Sequence, residues 1–173
     1  MEYKYISLLQ SKLSEIVLLY SEVWGEHSVD FAERLKRHAN YPGFKTVVAL
    51  NDDDDDDDAI GFAYGYTSKP GQYYHEQLRK ALSKSNQDWW LDDCFEFVEL
   101  VVHPNQRRKY KGQELAANLL EDIQNKTAVL TTQMNNISAR NLYKKLNWEI
   151  LEENFKPGDS KDPYVIMGKK LIP

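Results

Sequence analysis

The sequence lacks most of the features that would assign it to a class at once. It has one cysteine, Cys94, among 173 residues, so no internal disulfide can form and a disulfide-stapled fold is excluded. Phe95 and Phe97 beside it predict a buried thiol, and with no basic neighbour to lower its pKa it is not expected to be a nucleophile. No apolar run approaches the roughly 20 residues of a membrane helix. The opening Met1-Glu2-Tyr3-Lys4 lacks the basic-then-apolar layout of a secretion signal, so the expectation is a cytoplasmic protein without a membrane partner. The signatures HxxEH, CxxC, GxSxG and the Walker lysine loop are missing. His27, His38, His75 and His103 are scattered, and no metal is expected.

Acidity is present but local. The formal charge is -5, from 22 basic and 27 acidic residues, and seven of the acids form the unbroken run Asp52 to Asp58. Without that run the basic residues slightly outnumber the acidic ones, so the charge describes one loop rather than the whole surface. Adjacent carboxylates repel one another, which predicts a solvated loop over 51–58. A calcium loop fails on spacing, because no frame of the run supplies both the glycine and the glutamate such a loop needs. With 42% apolar, 12% aromatic and 28% charged residues, the composition is that of a soluble globular protein. A chain of this length buries roughly 70% of its unfolded surface, and a single domain over 1–173 is expected.

Periodicity supplies the element order. An opening strand near Tyr3 to Leu8 precedes a helical stripe of Leu13, Ile16, Val17, Tyr20, Val23 and Trp24, and a second helix follows from Val29 to Ala39. Thr46–Leu50 and Ala59–Tyr66 read as a hairpin around the Asp run. Residues 67–93 form a polar excursion with interspersed aromatics, within which Gln72 to Lys84 suits a helix. Cys94 to Val102 is the clearest strand, ended by His103-Pro104-Asn105. The stripe Leu115, Ala116, Leu119, Leu120 and Ile123 marks a helix beginning near Gln113. Ala128–Thr132, Ser138–Leu146, Trp148–Glu152 and Tyr164–Lys170 then read as strand, helix, strand, strand.

The chemistry is concentrated where the clearest strand meets that helix. A strand, a tight turn and a helix start bring backbone N–H groups to one point, where the helix dipole favours an anion. Arg107, Arg108, Lys109 and Lys111 add four cations around Tyr110, and Gly112 lets backbone approach a ligand closely. Such a turn suits a pyrophosphate. Nucleic acid is the less favoured partner for it, because the cluster is short and shares the chain with an acidic loop.

About 24 residues further on stands Asn136-Ile137-Ser138-Ala139-Arg140-Asn141-Leu142-Tyr143-Lys144-Lys145-Leu146-Asn147-Trp148. With the turn, this resembles the GNAT superfamily of acetyl-CoA-dependent N-acetyltransferases. Leu100, Val102 and Pro104 match that family's L-x-V-x-P strand end, and Arg107 and Gly112 match the ends of its [R/Q]-x-x-G-x-[G/A] turn. Asn136, Ala139, Leu142, Tyr143 and Trp148 match its N-x-x-A-x-x-L-Y-x-x-x-G-[F/W] segment. Two positions depart: Tyr110 stands where the first turn glycine is usual, and Asn147 where a glycine usually precedes the aromatic residue.

The resemblance implies an α/β (α+β) fold: a mixed, mostly antiparallel sheet of six to seven strands flanked by about four helices, with the cofactor in a splay between central strands. It implies direct transfer of an acetyl group from acetyl-CoA, as cosubstrate, to an amine, with no metal. Cofactor contacts would fall on Leu100, Val101, Val102, Arg107, Arg108, Lys109, Tyr110, Lys111, Gly112, Gln113 and Asn136. Tyr143 would protonate the departing thiolate. A base must first remove the ammonium proton. Glu96 is preferred because it shares strand parity with Val98, Leu100 and Val102, while Glu99 points to the opposite face and is the second candidate. The other reading of Glu96 is a partly exposed residue in an ion pair. For Tyr143 it is a plain helix-face residue, and for Asn136 a helix cap. Tyr64, Tyr66, Tyr73, Tyr74, Trp89 and Trp90 could line an acceptor cleft or belong to the core. A small amine is the expected partner, a homodimer is admitted, and a catalytically silent acyl-CoA-binding module is the rival function.

Overall fold

The apolar stripes and β-branched runs take up the expected elements in a computed structural model of the chain, which describes residues 3–5, 10–25, 28–51, 58–107 and 110–172. In chain order these are β1 (Tyr3–Tyr5), α1 (Gln10–Trp24), α2 (Ser28–His38), β2 (Lys45–Leu50), β3 (Ala59–Ser68), α3 (Tyr73–Ser83), β4 (Cys94–Val102), α4 (Lys111–Leu120), β5 (Thr127–Gln133), α5 (Ile137–Lys145), β6 (Glu149–Phe155) and β7 (Tyr164–Lys170). Short 3-10 turns occupy Asp88–Leu91 and Pro104–Gln106. Hydrogen-bonded strand order is β1-β2-β3-β4-β5-β7-β6, seven strands among the described residues. The β1–β2, β2–β3, β5–β7 and β6–β7 pairings are antiparallel and β4–β5 is parallel. Five α-helices stand among the described residues where about four were expected, α3 in the excursion being included. None of them is long and apolar enough to cross a membrane.

The chain divides into two compact units. The first comprises residues up to Tyr66 together with Val98–Asp122. Its core joins Ile16 and Leu19 of α1, Phe31 and Leu35 of α2, and Val48, Leu50, Phe62, Tyr64 and Val101 of the strands. The β2–β3 hairpin closes where Asn51 N–H donates to the Asp58 carbonyl at 3.1 Å; Asp52 to Asp57 lie outside the described residues. Gly61 of β3 decides where α4 sits. A Cβ at Gly61 would lie 2.9 Å from Leu115 Cδ1 and 3.0 Å from the Val101 carbonyl, so the absent side chain lets α4 and β4 close onto β3.

The second unit comprises Thr67–Phe97 and Ile123–Pro173. Its core packs Leu78 and Leu82 of α3 with Trp90, Leu91, Cys94, Val129, Leu151, Phe155 and Ile166. Cys94 is buried as its neighbours suggested, and burial, aided by the charge of Glu96, pushes its thiol far above the usual range, which leaves it inert. Within this unit β4 and β5 pair at Cys94–Thr127, Phe95–Ala128 and Glu96–Val129.

Candidate active site

The turn after β4 is built stepwise from local signals. His103 caps the Pro104–Gln106 turn, its Nδ1 accepting from Asn105 N–H at 3.2 Å, and Pro104 presets φ for the first turn residue. Arg107 is exposed, and its Nε donates to the Val102 carbonyl at 3.3 Å. Arg108 and Lys109 lie outside the described residues. Tyr110 then takes a left-handed backbone, φ 62° and ψ 11°, and opens α4 without a side-chain cap. The helix begins at Lys111, two residues before the start expected near Gln113. Its internal ladder opens with Glu114 N–H donating to the Tyr110 carbonyl at 3.0 Å, so Lys111, Gly112 and Gln113 supply the first-turn N–H groups that precede the ladder. At the other end, Lys45 Nζ donates to the Asn118 carbonyl at 3.1 Å and to the Glu121 carbonyl, a cation where the dipole favours one.

The two β4 carboxylates have different surroundings, as their parity requires. Glu96 is buried, 3% exposed, and Ser68 Oγ lies 3.3 Å from its Oε2. It is therefore not the partly exposed residue of the alternative reading. The ion pair belongs to Glu99, whose Oε1 meets Arg34 Nη2 at 2.9 Å with the carboxylate side chain 21% exposed. Burial pushes the Glu99 carboxyl up to about 7, against the lowering effect of Arg34. Burial alone would depress the Arg34 guanidinium, but Glu99, with Tyr64 and Tyr20, holds it above its ordinary value. Arg34 also lies 5.4 Å from the Phe31 ring centroid.

Tyr143 is fixed by the way α5 starts and ends. Asn136 is the N-cap, its side-chain oxygen accepting from Ala139 N–H at 3.2 Å. At the C-terminus Asn147 takes φ 68°, and its N–H reaches the Lys144 carbonyl at 3.0 Å while Trp148 N–H reaches the Tyr143 carbonyl at 2.9 Å. This is a Schellman closure, which carries an apolar contact between the residues flanking it. Here that contact is Tyr143 against Trp148, ring centroids 6.0 Å apart, with Phe97 of β4 edge-on to both at 6.0 and 5.8 Å. Tyr143 is 7% exposed as a result.

The description "Acetyltransferase (GNAT) family" matches residues 12–148. The chain belongs to that family. Among curated proteins, a GCN5-like protein acetyltransferase of Mycobacterium tuberculosis is 26% identical over 120 residues, which cover 65% of this chain and 58% of that protein. The match thus spans somewhat more than half the length of that relative. Among solved structures, the aminoglycoside 6'-N-acetyltransferase from Enterococcus faecium aligns with a TM-score of 0.70 at 17% identity, covering 100% of this chain and 98% of that one. An aminoglycoside 6'-N-acetyltransferase complexed with coenzyme A aligns with a TM-score of 0.67 at 18% identity, covering 100% and 98%. These structures share the fold.

The two departures from the GNAT motifs keep the backbone that the missing glycines would supply. Tyr110 and Asn147 both have positive φ, a region where Asn is tolerated and a bulky residue is strained. Tyr110 is 69% exposed. The GNAT segment from Asn136 to Trp148 is thus read position by position as cap, capped amide, aromatic anchor, left-handed residue and closing aromatic.

The candidate acceptor aromatics divide. Tyr64, Tyr66 and Trp90 are buried, while Tyr73 and Trp89 are exposed. Tyr64 bonds His38 Nδ1 at 3.0 Å, and burial, with Arg37 and Arg34, lowers His38 to about 4. No group of side chains suited to a metal stands among the described residues. Two residues that sequence reasoning missed are Ser68 and His75. Their hydrogen bond, Oγ to Nδ1 at 2.8 Å, joins the end of β3 to α3, and no periodicity or motif signals it.

Proposed function

We propose that the chain transfers the acetyl group of acetyl-CoA to a primary amine of a small molecule or peptide. The observation that carries this reading is the β4–turn–α4 junction, where an uncapped helix start and cationic side chains meet at a left-handed residue. Its donor set fits a diphosphate: first-turn N–H groups of Lys111, Gly112 and Gln113, with the Arg107 and Lys111 side chains next to them in the chain. The Leu100, Val101 and Val102 backbone would hold the pantetheine arm and donate N–H to the carbonyl oxygen as it gains charge.

Acetyl-CoA supplies an activated acyl carbon, and the side chains handle the protons. An alkylammonium with a pKa near 10 cannot attack until it loses a proton. Glu96 takes that proton through a water molecule, its own carboxylate being buried. As the C–N bond forms and the C–S bond breaks, Tyr143 gives its phenolic proton to the departing thiolate, and the proton that the new amide nitrogen sheds returns the phenolate to phenol. A thiolate with a parent pKa near 8.5 leaves tolerably without help, so Tyr143→Phe should lower the maximal rate about 10- to 100-fold with little change in acetyl-CoA affinity. The M. tuberculosis relative is named for protein acetylation and the E. faecium structure for aminoglycoside acetylation. Both amine classes therefore belong in the assay, and neither needs a nucleic-acid or membrane partner.

The test is calorimetry with acetyl-CoA alongside CoA release with spermidine, kanamycin and a lysine-containing peptide. Saturable binding and turnover on at least one amine are expected. No binding at millimolar acetyl-CoA defeats the reading, and tight binding with no turnover favours the silent module instead.

A further inference from the structure

Three buried polar residues of the second unit form a chain, of which the acetyl-transfer reading uses only the last: His75 in the first turn of α3, Ser68 at the end of β3, and Glu96 of β4. Ser68 Oγ stands 2.8 Å from His75 Nδ1 and 3.3 Å from Glu96 Oε2. A hydroxyl has one proton to donate and lone pairs to accept with. The ionised carboxylate can only accept. If Ser68 donates to Glu96, His75 must donate to Ser68 from Nδ1, and the direction of the whole chain follows from one tautomer.

The corner that carries His75 is built to hold it. Gln72 Nε2 donates to the Thr67 carbonyl at 3.2 Å, and its Oε1 accepts from Lys69 N–H at 3.0 Å. Glu76 Oε1 accepts from Gly71 N–H at 3.1 Å. These bonds tie the end of β3 to the start of α3 across a six-residue span from Thr67 to Gln72, so the imidazole has little freedom to leave the hydroxyl. Burial, the largest influence on His75, lowers its pKa, with Glu76 opposing and Arg79 assisting. A neutral imidazole is what a single-donor chain requires.

We infer that Ser68 and His75 are positioning residues for Glu96: His75 Nδ1–H donates to Ser68, which turns the Ser68 hydroxyl proton onto the carboxylate and fixes its orientation. This rests on Glu96 being the base of the proposed reaction. The pair moves no proton; it holds the acceptor of one. A positioned carboxylate retains its geometry through turnover because the supporting hydrogen bonds lock its rotamer.

The first test needs no turnover. Imidazole 15N spectra of the protein at pH 7.5, with His75 assigned by comparison with His75→Asn, should place its proton on Nδ1. The less common neutral tautomer would be a signature of this chain, and a proton on Nε2 overturns the inference, since Ser68 would then donate to His75. The second test is kinetic, with acetyl-CoA and whichever of spermidine, kanamycin or the lysine peptide turns over. Ser68→Ala should lower kcat about 10-fold with both KM values within about twofold, and Ser68→Thr, which restores a hydroxyl, should recover most of it. His75→Asn keeps an N–H near the Nδ1 position and should stay within about threefold of the parent kcat, whereas His75→Leu should fall toward Ser68→Ala. The double variant Ser68→Ala/His75→Leu should be no slower than Ser68→Ala alone, because His75 acts only through the hydroxyl. Additive losses, or KM effects as large as the kcat effects, overturn the inference. If Glu96→Gln retains the parent kcat, the base assignment fails and the positioning role fails with it. If Glu96→Gln abolishes turnover while Ser68→Ala does not slow it, the positioning role alone fails.

Discussion

The helices α4 and α5 follow successive strands of the same motif set, yet their N-termini are finished in opposite ways. α5 caps itself: the Asn136 side chain takes up the Ala139 N–H, and a Schellman closure at the other end completes the helix. α4 opens on Tyr110 with no side-chain cap at all, behind a turn rich in cations. A helix start that satisfies its own donors has no use for an anion, while one that leaves them to the surroundings offers a site. On the proposed reading, α5 serves to hold Tyr143 in place and α4 to bind the cosubstrate.

The largest expected effect falls on α4. Gly112→Val crowds the first turn and should weaken acetyl-CoA binding about 100-fold in calorimetry, close to 2.7 kcal/mol, with the melting temperature nearly unchanged. Equal affinities for the variant and the parent would remove α4 as the binding start. Next, Asn136→Ala removes the α5 cap and should cost about 1 kcal/mol, read as a fall in Tm of roughly 2–4 °C. A loss of acetyl-CoA affinity with unchanged Tm would reverse the comparison and make Asn136 a ligand-binding residue. Tyr110→Gly relieves a left-handed backbone at a bulky residue and should stabilise the fold by about 0.5–1 kcal/mol, since part of the gain is lost to the freer unfolded chain. Chemical denaturation reads this directly, and destabilisation would mean that the tyrosine side chain contributes more than its backbone costs. The smallest effect is Asn147→Gly, a few tenths of a kcal/mol in the stabilising direction by the same measurement, because Asn already tolerates that conformation.

Much of the architecture was legible from periodicity, and where boundaries moved, local chemistry explains the shift. β4 and β7 have the expected bounds. α4 starts two residues early because the left-handed Tyr110, rather than the first apolar residue, ends the turn. The motif residues of α5 were legible because each acts within a few positions of itself: Asn136 on Ala139, Trp148 on Tyr143. The carboxylates were only half legible. Strand parity separates Glu96 from Glu99, but parity says nothing of what lies above each face. Arg34 is 65 positions from Glu99, and Ser68 is 28 from Glu96, distances across which a sequence pattern has no period to follow.

The sequence on its own therefore determined the order of elements, the cationic turn before α4 and the helix punctuation around Tyr143, all of which arise from interactions between near neighbours in the chain. Only the tertiary structure decided which carboxylate is paired with an arginine and which lies against a serine. Those partners are chosen by the packing of strands and helices far apart in sequence, and burial then sets how strongly each group feels the other.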